Sequence, residues 1–154
     1  MKPPSNPLFA RLVRWLAPVA WALALLAPGV PAHATPFTAA DEKSVRIVVE
    51  GQLGAFARDD ANKAFSYAAP NVRKAVGTAA NFMAMVRNSY PVVYRPASAG
   101  FLKPEGKDDQ AIQRVQMTDA SGDAWLAIYS LERQKNRLWR ITGCVVVENK
   151  GRMA

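Results

Sequence analysis

The chain has 154 residues, half of them hydrophobic, with a formal net charge of +8, one cysteine and one histidine. A single cysteine cannot form an internal disulfide, and so few sulfur and imidazole groups do not indicate a zinc or iron–sulfur centre. The basic residues are scattered and do not form a dense stripe with interleaved aromatic residues, so the composition does not indicate a nucleic-acid-binding protein.

The first 34 residues have the three-part pattern of a secretory signal peptide. Three basic residues, Lys2, Arg11 and Arg14, precede an apolar run over residues 15–27, and the segment ends in the small-residue sequence Ala32-His33-Ala34. We therefore expect cleavage near Ala34 and a single mature domain over residues 35–154, in the periplasm or secreted.

A membrane anchor is the alternative interpretation of this segment. A spanning helix needs about 20 consecutive apolar residues, and Pro28, Gly29 and Pro31 cut this run short. No stable membrane anchor is therefore expected after cleavage. Removal of residues 1–34 also removes His33 and lowers the formal charge to +5, so the mature domain would contain no imidazole. This excludes Ser-His-Asp and Cys-His catalytic triads.

The mature part begins with a predicted long helix. Thr38 and Asp41 have the spacing of a capping box, which marks a helix start. After them, apolar positions recur at helical spacing and predict one buried stripe, which consists of Val45, Val49, Gln52, Leu53 and Phe56.

Shorter helices are predicted to follow. Asp59 or Asp60 would cap a short helix that ends before Pro70, and residues 71–76 would add another turn. Thr78 would cap a further helix, which Tyr90-Pro91 ends. The residues expected on one face of this last helix are Phe82, Met85, Val86 and Ser89.

From residue 92 onward the pattern becomes extended. Strands are predicted at residues 92–94, 99–103, 111–118, 124–133 and 138–147, with turns at 104–106, 121–123 and 134–136. Alternation puts Trp125, Ala127, Tyr129 and Leu131 on one face of one strand, and Trp139, Ile141, Gly143, Val145 and Val147 on one face of the next. The expected fold class is α+β, with N-terminal helices packed on an antiparallel sheet.

Three local features admit a structural explanation. The cluster of Arg133, Lys135, Arg137 and Arg140, with Glu132 beside it, is predicted to be a solvated hairpin tip. Cys144 lies in an apolar run and is predicted to be a buried, unreactive thiol. Residues 90–96 contain two prolines that favour extended neighbours, so this segment is either a rigid connector or the lip of a binding site.

Several phrases of the mature chain resemble a known family. They are Asp59-Asp60-Ala61, Ala64-Phe65-Ser66-Tyr67-Ala68 with Pro70, Asn81-Phe82-Met83-Ala84-Met85-Val86, Tyr90-Pro91, Val93-Tyr94-Arg95-Pro96, Trp139-Arg140-Ile141 and Gly143-Cys144. Over about residues 43–148 the chain resembles the bacterial domain-of-unknown-function family 4864, which supplies no mechanism. The order of elements also resembles the nuclear-transport-factor and ketosteroid-isomerase (cystatin-like) superfold, which implies a curved sheet enclosing a cone-shaped cavity.

A cavity of that kind would be lined by aromatic side chains and a few polar groups. The candidates are Tyr67, Phe82, Met85, Tyr90, Tyr94, Arg95, Trp125, Tyr129 and Trp139. The alternative is that these residues only fill the core. No carboxylate lies within an apolar strand, so an acid/base pair would have to be Asp59 with Tyr67, and no catalytic residue, metal or cofactor is predicted.

The sequence therefore favours a non-catalytic exported module that binds a small apolar molecule. The alternative is a protein-interaction or homodimerisation domain that uses its sheet face, with Trp125 and Tyr129 as exposed candidates. An isomerase-like enzyme is the third hypothesis, and it requires a carboxylate with a raised pKa inside the cavity. No nucleic-acid partner is expected.

Overall fold

The structure is a computed structural model that describes residues 35–150. The predicted signal peptide and its cleavage site lie outside the described residues. Within residues 35–150, five helices precede five strands, and none of these helices is both long enough and apolar enough to cross a membrane.

The first helix, α1, spans Ala39–Ala57 and begins at the predicted capping box. The Thr38 hydroxyl accepts from the backbone N–H of Asp41 at 3.2 Å, and the Asp41 carboxylate accepts from the Thr38 N–H at 3.0 Å. The residues that α1 buries are Val45, Val48, Val49, Gln52, Ala55 and Phe56. The predicted stripe is confirmed except for Leu53, which is only partly buried.

Replacing Thr38 with alanine is expected to lower the free energy of unfolding by about 1 kcal/mol. The substitution removes the hydroxyl that accepts from the backbone N–H of Asp41, which has no other partner at the start of α1. Urea unfolding followed by circular dichroism measures this change. Lys43→Ala, on the exposed side of the same helix, is the control and should change stability by less than about 0.5 kcal/mol. Equal effects of the two substitutions would contradict a role for the cap.

Three shorter helices follow: α2 (Ala61–Ser66), α3 (Pro70–Val76) and α4 (Ala79–Ser89). The predicted caps are present, because the Asp60 carboxylate accepts from the Lys63 N–H at 2.9 Å and the Thr78 hydroxyl from the Asn81 N–H at 3.1 Å. Helix α3 buries no residue.

The buried face of α4 differs from the predicted one. It consists of Phe82, Met83 and Val86, whereas Met85 is 39% exposed and Ser89 is also exposed. Helix α4 contacts α2, α3 and α5, so its packing is decided by three neighbouring helices and not by a single flat surface.

Residues 92–94 do not form the predicted strand. They belong to a single helical turn, α5 (Pro91–Tyr94), in which Pro91 occupies the first helical position, where its fixed φ and missing N–H are tolerated. The Tyr90 carbonyl accepts from the N–H groups of Val93 and Tyr94, both at 3.0 Å. Beyond it, Pro96 favours a non-helical Arg95, with φ −146° and ψ 78°. The segment is therefore a helical connector between α4 and the sheet.

The strands are β1 (Ser98–Phe101), β2 (Glu105–Lys107), β3 (Gln110–Thr118), β4 (Ala124–Arg133) and β5 (Trp139–Glu148). They form one antiparallel sheet in which both β1 and β2 pair with β3, followed by β4 and then β5. Strand β2 lies where a turn was predicted. The turn comes later, at Asp108, whose left-handed φ of 55° reverses the chain.

The helices pack against this curved sheet, so the predicted α+β class is confirmed. The core between the two layers contains Val45, Val49 and Phe56 from α1 and Val115, Met117 and Leu131 from the sheet.

Strand β5 contains a bulge that changes which residues face the core. Leu131 pairs with Ile141 but Ser130 pairs with Gly143, so Thr142 is the extra residue. An extra residue inverts the alternation beyond it. The predicted face is therefore correct for Trp139 and Ile141, which are buried, and wrong for Val145 and Val147, which are 60% and 42% exposed. Beyond the bulge, Cys144 and Val146 pack against the core instead.

The predicted solvated tip of the β4–β5 hairpin is wrong for Arg133. The side chain of Arg133 is 5% exposed, and its guanidinium lies 3.2 Å from the Asp41 carboxylate and 3.3 Å from that of Asp109. It also stacks on the Trp139 ring at 4.8 Å. Arg133 therefore joins the start of α1 to the sheet.

Candidate functional site

A cavity of about 270 Å³ lies between the helices and the sheet. Helices α1, α3 and α4 supply half of its lining residues. The other half comes from α5, β4 and β5 and from Ala68 and Tyr90, which lie between helices. The lining residues are Gln52, Phe56, Ala68, Val72, Val76, Phe82, Met85, Val86, Tyr90, Val93, Tyr129, Ile141, Gly143 and Cys144. Among them are no Asp, Glu, Lys, Arg or His side chains, so the wall is uncharged.

Backbone hydrogen bonds close one side of this cavity. The Ala69 N–H donates to the Ile141 carbonyl at 2.8 Å, and the Ile141 N–H donates to the Tyr67 carbonyl at 2.9 Å. The segment that leads into α3 is thereby joined to the edge of β5. Since Met85 is 39% exposed and α3 buries no residue, the side of the cavity nearest solvent is the one formed by α3 and α4.

Four polar side chains interrupt the apolar wall: Gln52, Tyr90, Tyr129 and Cys144. Gln52 is 3% exposed and donates through Nε2 to the Ala64 carbonyl at 3.2 Å. Tyr129 is 1% exposed, and its hydroxyl has no hydrogen-bond partner that meets normal geometry among the described residues. Cys144 lies directly opposite Tyr129 in the β4–β5 register, and a thiol is only a weak hydrogen-bonding group.

Burial keeps both of these groups neutral. Loss of solvent raises the pKa of Tyr129 well above its ordinary value, and the adjacent Cys144 adds to this effect. Loss of solvent also raises the pKa of Cys144 to about 12, although the nearby Tyr129 hydroxyl acts in the opposite direction. Because the thiolate is the nucleophilic form, the raised pKa keeps Cys144 in its less reactive thiol form at neutral pH. The side chain is partly buried, not fully buried as predicted.

A second, more open cavity of about 420 Å³ lies beside the first. Its wall includes Tyr94, Arg95 and Trp125, and Tyr90 contributes to the walls of both cavities. The Trp125 indole N–H donates to the Asp119 carboxylate at 2.8 Å. This bond, together with backbone donors of the following turn, lowers the pKa of Asp119 although partial desolvation opposes it.

Asp59 does not cap α2 and does not pair with Tyr67. It has a left-handed φ of 56°, and its carboxylate accepts from the Tyr94 hydroxyl, from Arg95 at 2.8 Å and from Arg87 at 3.2 Å. The Tyr67 ring instead lies against Gly51, so that a Cβ added there would come within 2.6 Å of the Tyr67 ring. The three partners of Asp59 join the α1–α2 turn to α4 and α5, which makes this carboxylate a tether and not a free base.

Replacing Tyr94 with phenylalanine is expected to raise the pKa of Asp59 toward its ordinary value of 3.8. The hydrogen bond from Tyr94 has the largest effect on this pKa, and it acts with Arg95 and Arg87 against partial desolvation. A pH titration followed by carboxyl ¹³C NMR measures the change, with Tyr90→Phe as the control. Since the pKa is lowered by folding, the tether stabilises the protein above about pH 4 and is lost on acidification. An unaltered pKa in Tyr94→Phe would show that Tyr94 does not hold the carboxylate.

The nine candidate residues fall into three groups. Phe82, Met85, Tyr90 and Tyr129 line the first cavity, and Tyr94, Arg95 and Trp125 join Tyr90 at the second. Tyr67 and Trp139 line neither of them. Trp139 packs edge-on against Phe37, with ring centroids 5.9 Å apart, at the end of the sheet occupied by Arg133.

The cavity wall also contains residues that were not predicted to line it, among them Gln52, Val72, Val76, Ile141 and Cys144. For Gln52 a signal existed, because it is the polar member of the predicted apolar stripe of α1. The hypothesis that Tyr129 is an exposed contact residue is wrong because this side chain is buried, and Trp125 is half-buried.

The arrangement can bind a molecule more readily than it can transform one. The first cavity has no charged group to act as an acid or base, and its thiol is protonated. In the part of the chain that the structure describes, no group of three or more His, Cys, Asp or Glu side chains could hold a metal ion.

Comparisons with known proteins give a family match and a similar solved structure. The family model described as a domain of unknown function, DUF4864, matches residues 38–154. Among solved structures, the chain is similar to an NTF-2 like protein of unknown function from Burkholderia xenovorans LB400. The identity is 14%, the match covers 73% of this chain and 88% of that chain, and the TM-score is 0.47. None of the curated proteins matches.

Proposed function

The chain belongs to the DUF4864 family, and we propose that it is a non-catalytic module that binds a small apolar molecule between its helices and its sheet. The observation that carries this proposal is the first cavity, which has an apolar wall interrupted by a few convergent polar groups. Ligand sites have this composition. The signal-peptide pattern of residues 1–34 supports the further proposal that binding takes place after export.

The size of the cavity limits the ligand. An apolar cavity of about 150 Å³ is enough to bind benzene, so a volume of about 270 Å³ accommodates a substituted ring or a short branched chain. The driving force would be the removal of apolar surface from water, at about 25 cal/mol for each Å². The absence of any carboxylate from the wall favours binding over isomerase-like catalysis.

Native mass spectrometry of the protein, purified gently from an exporting host, tests the proposal. We expect a discrete small-molecule adduct on the wild type. Val76→Phe adds bulk at the cavity wall and should reduce the adduct, whereas Ala75→Phe adds the same bulk at an exposed position of α3 and should retain it. An adduct present to the same extent in both variants would place the ligand elsewhere.

Homodimerisation through the outer face of the sheet is a second candidate function. Val145 and Val147 are exposed on β5, and their partners across the strand pair, Ile128 and Leu126, are only partly buried. These four residues form an apolar patch, and a two-fold axis would place the patch against its own copy.

Sedimentation velocity tests this second candidate. Val145→Lys should dissociate the dimer. Ile47→Lys should leave it intact, because Ile47 is similarly exposed but lies on α1. A wild-type protein that stays monomeric up to millimolar concentration would rule out this interface.

A further inference from the structure

We infer that the ligand of the first cavity is an uncharged apolar molecule that carries a hydrogen-bond donor, such as a hydroxyl, and that Oε1 of Gln52 accepts from it. This inference rests on the proposed function and specifies its ligand class. It depends on the position of Gln52, on the direction of its amide and on the lack of charge around it.

Gln52 is a polar residue in an otherwise apolar environment. It belongs to the buried face of α1, is 3% exposed and lies in the cavity wall. Burying an amide without compensating hydrogen bonds is unfavourable, and a leucine or methionine would fill this position without that cost. Nε2 has its partner within the protein, whereas Oε1 is neither hydrogen-bonded nor one of the fully buried atoms without a partner. This oxygen therefore keeps accessible surface at the cavity wall, where a ligand can reach it.

The direction of the Gln52 amide is fixed by α2. Nε2 donates to the Ala64 carbonyl at 3.2 Å, and the opposite orientation would bring two acceptor oxygens together. Oε1 is therefore the free end of the side chain, and no donor among the described residues reaches it. A carbonyl oxygen has two lone pairs and only accepts, so the complementary group on a ligand must be a donor.

The surrounding wall selects an uncharged molecule. No side chain of opposite charge lines the cavity to pair with a carboxylate or an ammonium group, and an isolated charge is costly to bury. The Tyr129 hydroxyl is enclosed beside Cys144, and the Tyr90 hydroxyl can donate as well as accept. Among the side-chain oxygens of the wall, Oε1 of Gln52 is the one that can only accept. A phenol or an aliphatic alcohol with an apolar body matches this wall.

Three probes of similar shape test the inference: 4-ethylphenol, 4-ethyltoluene and 4-ethylbenzoate. They carry a donor, no polar group and a negative charge, respectively. Binding to the protein is measured by NMR titration of the methyl signal of Met85 and of the side-chain amide of Gln52. We expect 4-ethylphenol to bind about fivefold more tightly than 4-ethyltoluene, and 4-ethylbenzoate to bind most weakly.

The substitution Gln52→Met removes the acceptor and retains the shape. It should abolish the preference for 4-ethylphenol and leave the affinity for 4-ethyltoluene within about twofold. Because this substitution also removes the bond to Ala64, the Gln52 amide signals of the wild type give an independent readout. They should shift differently with 4-ethylphenol and with 4-ethyltoluene.

The outcomes separate the inference from the proposed function. If none of the three probes perturbs Met85 or Gln52, the cavity is not a binding site for molecules of this size and the proposed function fails. If 4-ethyltoluene binds as tightly as 4-ethylphenol, or if Gln52→Met leaves their ratio unchanged, the inference is overturned while the proposed function stands. Tightest binding by 4-ethylbenzoate would also overturn it.

Discussion

Replacing Arg133 with methionine is expected to lower the free energy of unfolding by about 3 kcal/mol or more, since breaking a buried ion pair leaves an uncompensated charge. The Arg133 side chain is 5% exposed and the Asp41 side chain 13%, so water replaces little of the lost interaction. The cation–π contact with Trp139 is lost at the same time. Urea unfolding followed by tryptophan fluorescence measures the change.

Lys135→Met is the matched control for Arg133→Met. It removes one positive charge from the same hairpin at an exposed position, and should change stability by less than about 0.5 kcal/mol. A similar loss of stability in both variants would mean that the loss comes from the change in net charge and not from the buried ion pair.

The two variants should also differ in acid. Although burial opposes ionisation, hydrogen bonds from Thr38 and the charge of Arg133 hold the pKa of Asp41 below its ordinary value of 3.8. A carboxylate with a lowered pKa stabilises the folded state above the unfolded pKa, and this stabilisation is lost as the pH falls. Wild type and Lys135→Met should therefore lose stability below about pH 4 more steeply than Arg133→Met does.

Replacing Phe56 with alanine is expected to lower the free energy of unfolding by about 3–5 kcal/mol, which is the second large effect. Phe56 is 1% exposed, and its ring centroid lies 5.9 Å from that of Phe82. Truncation removes these contacts and leaves a void that joins the existing cavity, because Phe56 forms part of its wall. Thermal unfolding by calorimetry measures the loss.

The control for Phe56→Ala is Ile47→Ala on the same helix, where the removed side chain is 52% exposed. It should change stability by less than about 0.5 kcal/mol. Phe56→Ala should in addition bind larger apolar probes than the wild type accepts. A loss below about 1 kcal/mol would mean that the surrounding helices collapse into the void.

Local signals in the sequence were sufficient for most of the fold. The capping box at Thr38 marks the start of α1, and the strict alternation of β4 predicts which residues share one face, including Tyr129 and Leu131. These features depend on neighbours within a few residues, so that the sequence alone specifies them.

The features that the sequence did not predict depend on tertiary contacts. The bulge at Thr142 is determined by the pairing of β5 with β4, and no local sequence pattern predicts the extra residue. Burial of Arg133 requires Asp41, which lies on a distant helix. Pro91 is compatible with both an extended segment and a helix start, and the packing of Val92 and Val93 into the core decides between them.

The candidate site was harder to predict from the sequence than the fold. Aromatic residues identified part of the wall, such as Phe82 and Tyr129, but the same composition fits a solid core equally well. Helix α3 contributes Val72 and Val76 to the wall of the cavity and buries no side chain, a property of helix placement that periodicity does not encode.

This placement of α3 has a consequence for hydrogen exchange. Its seven residues bury no side chain, and Gly77, with φ 90°, lies at its C-terminal end. Helices with few buried contacts open at a lower free energy than the core. The backbone amides of α3 should therefore exchange with deuterium long before those of α1 and β4. Such a local opening would give a molecule access to the cavity while the rest of the domain stays folded.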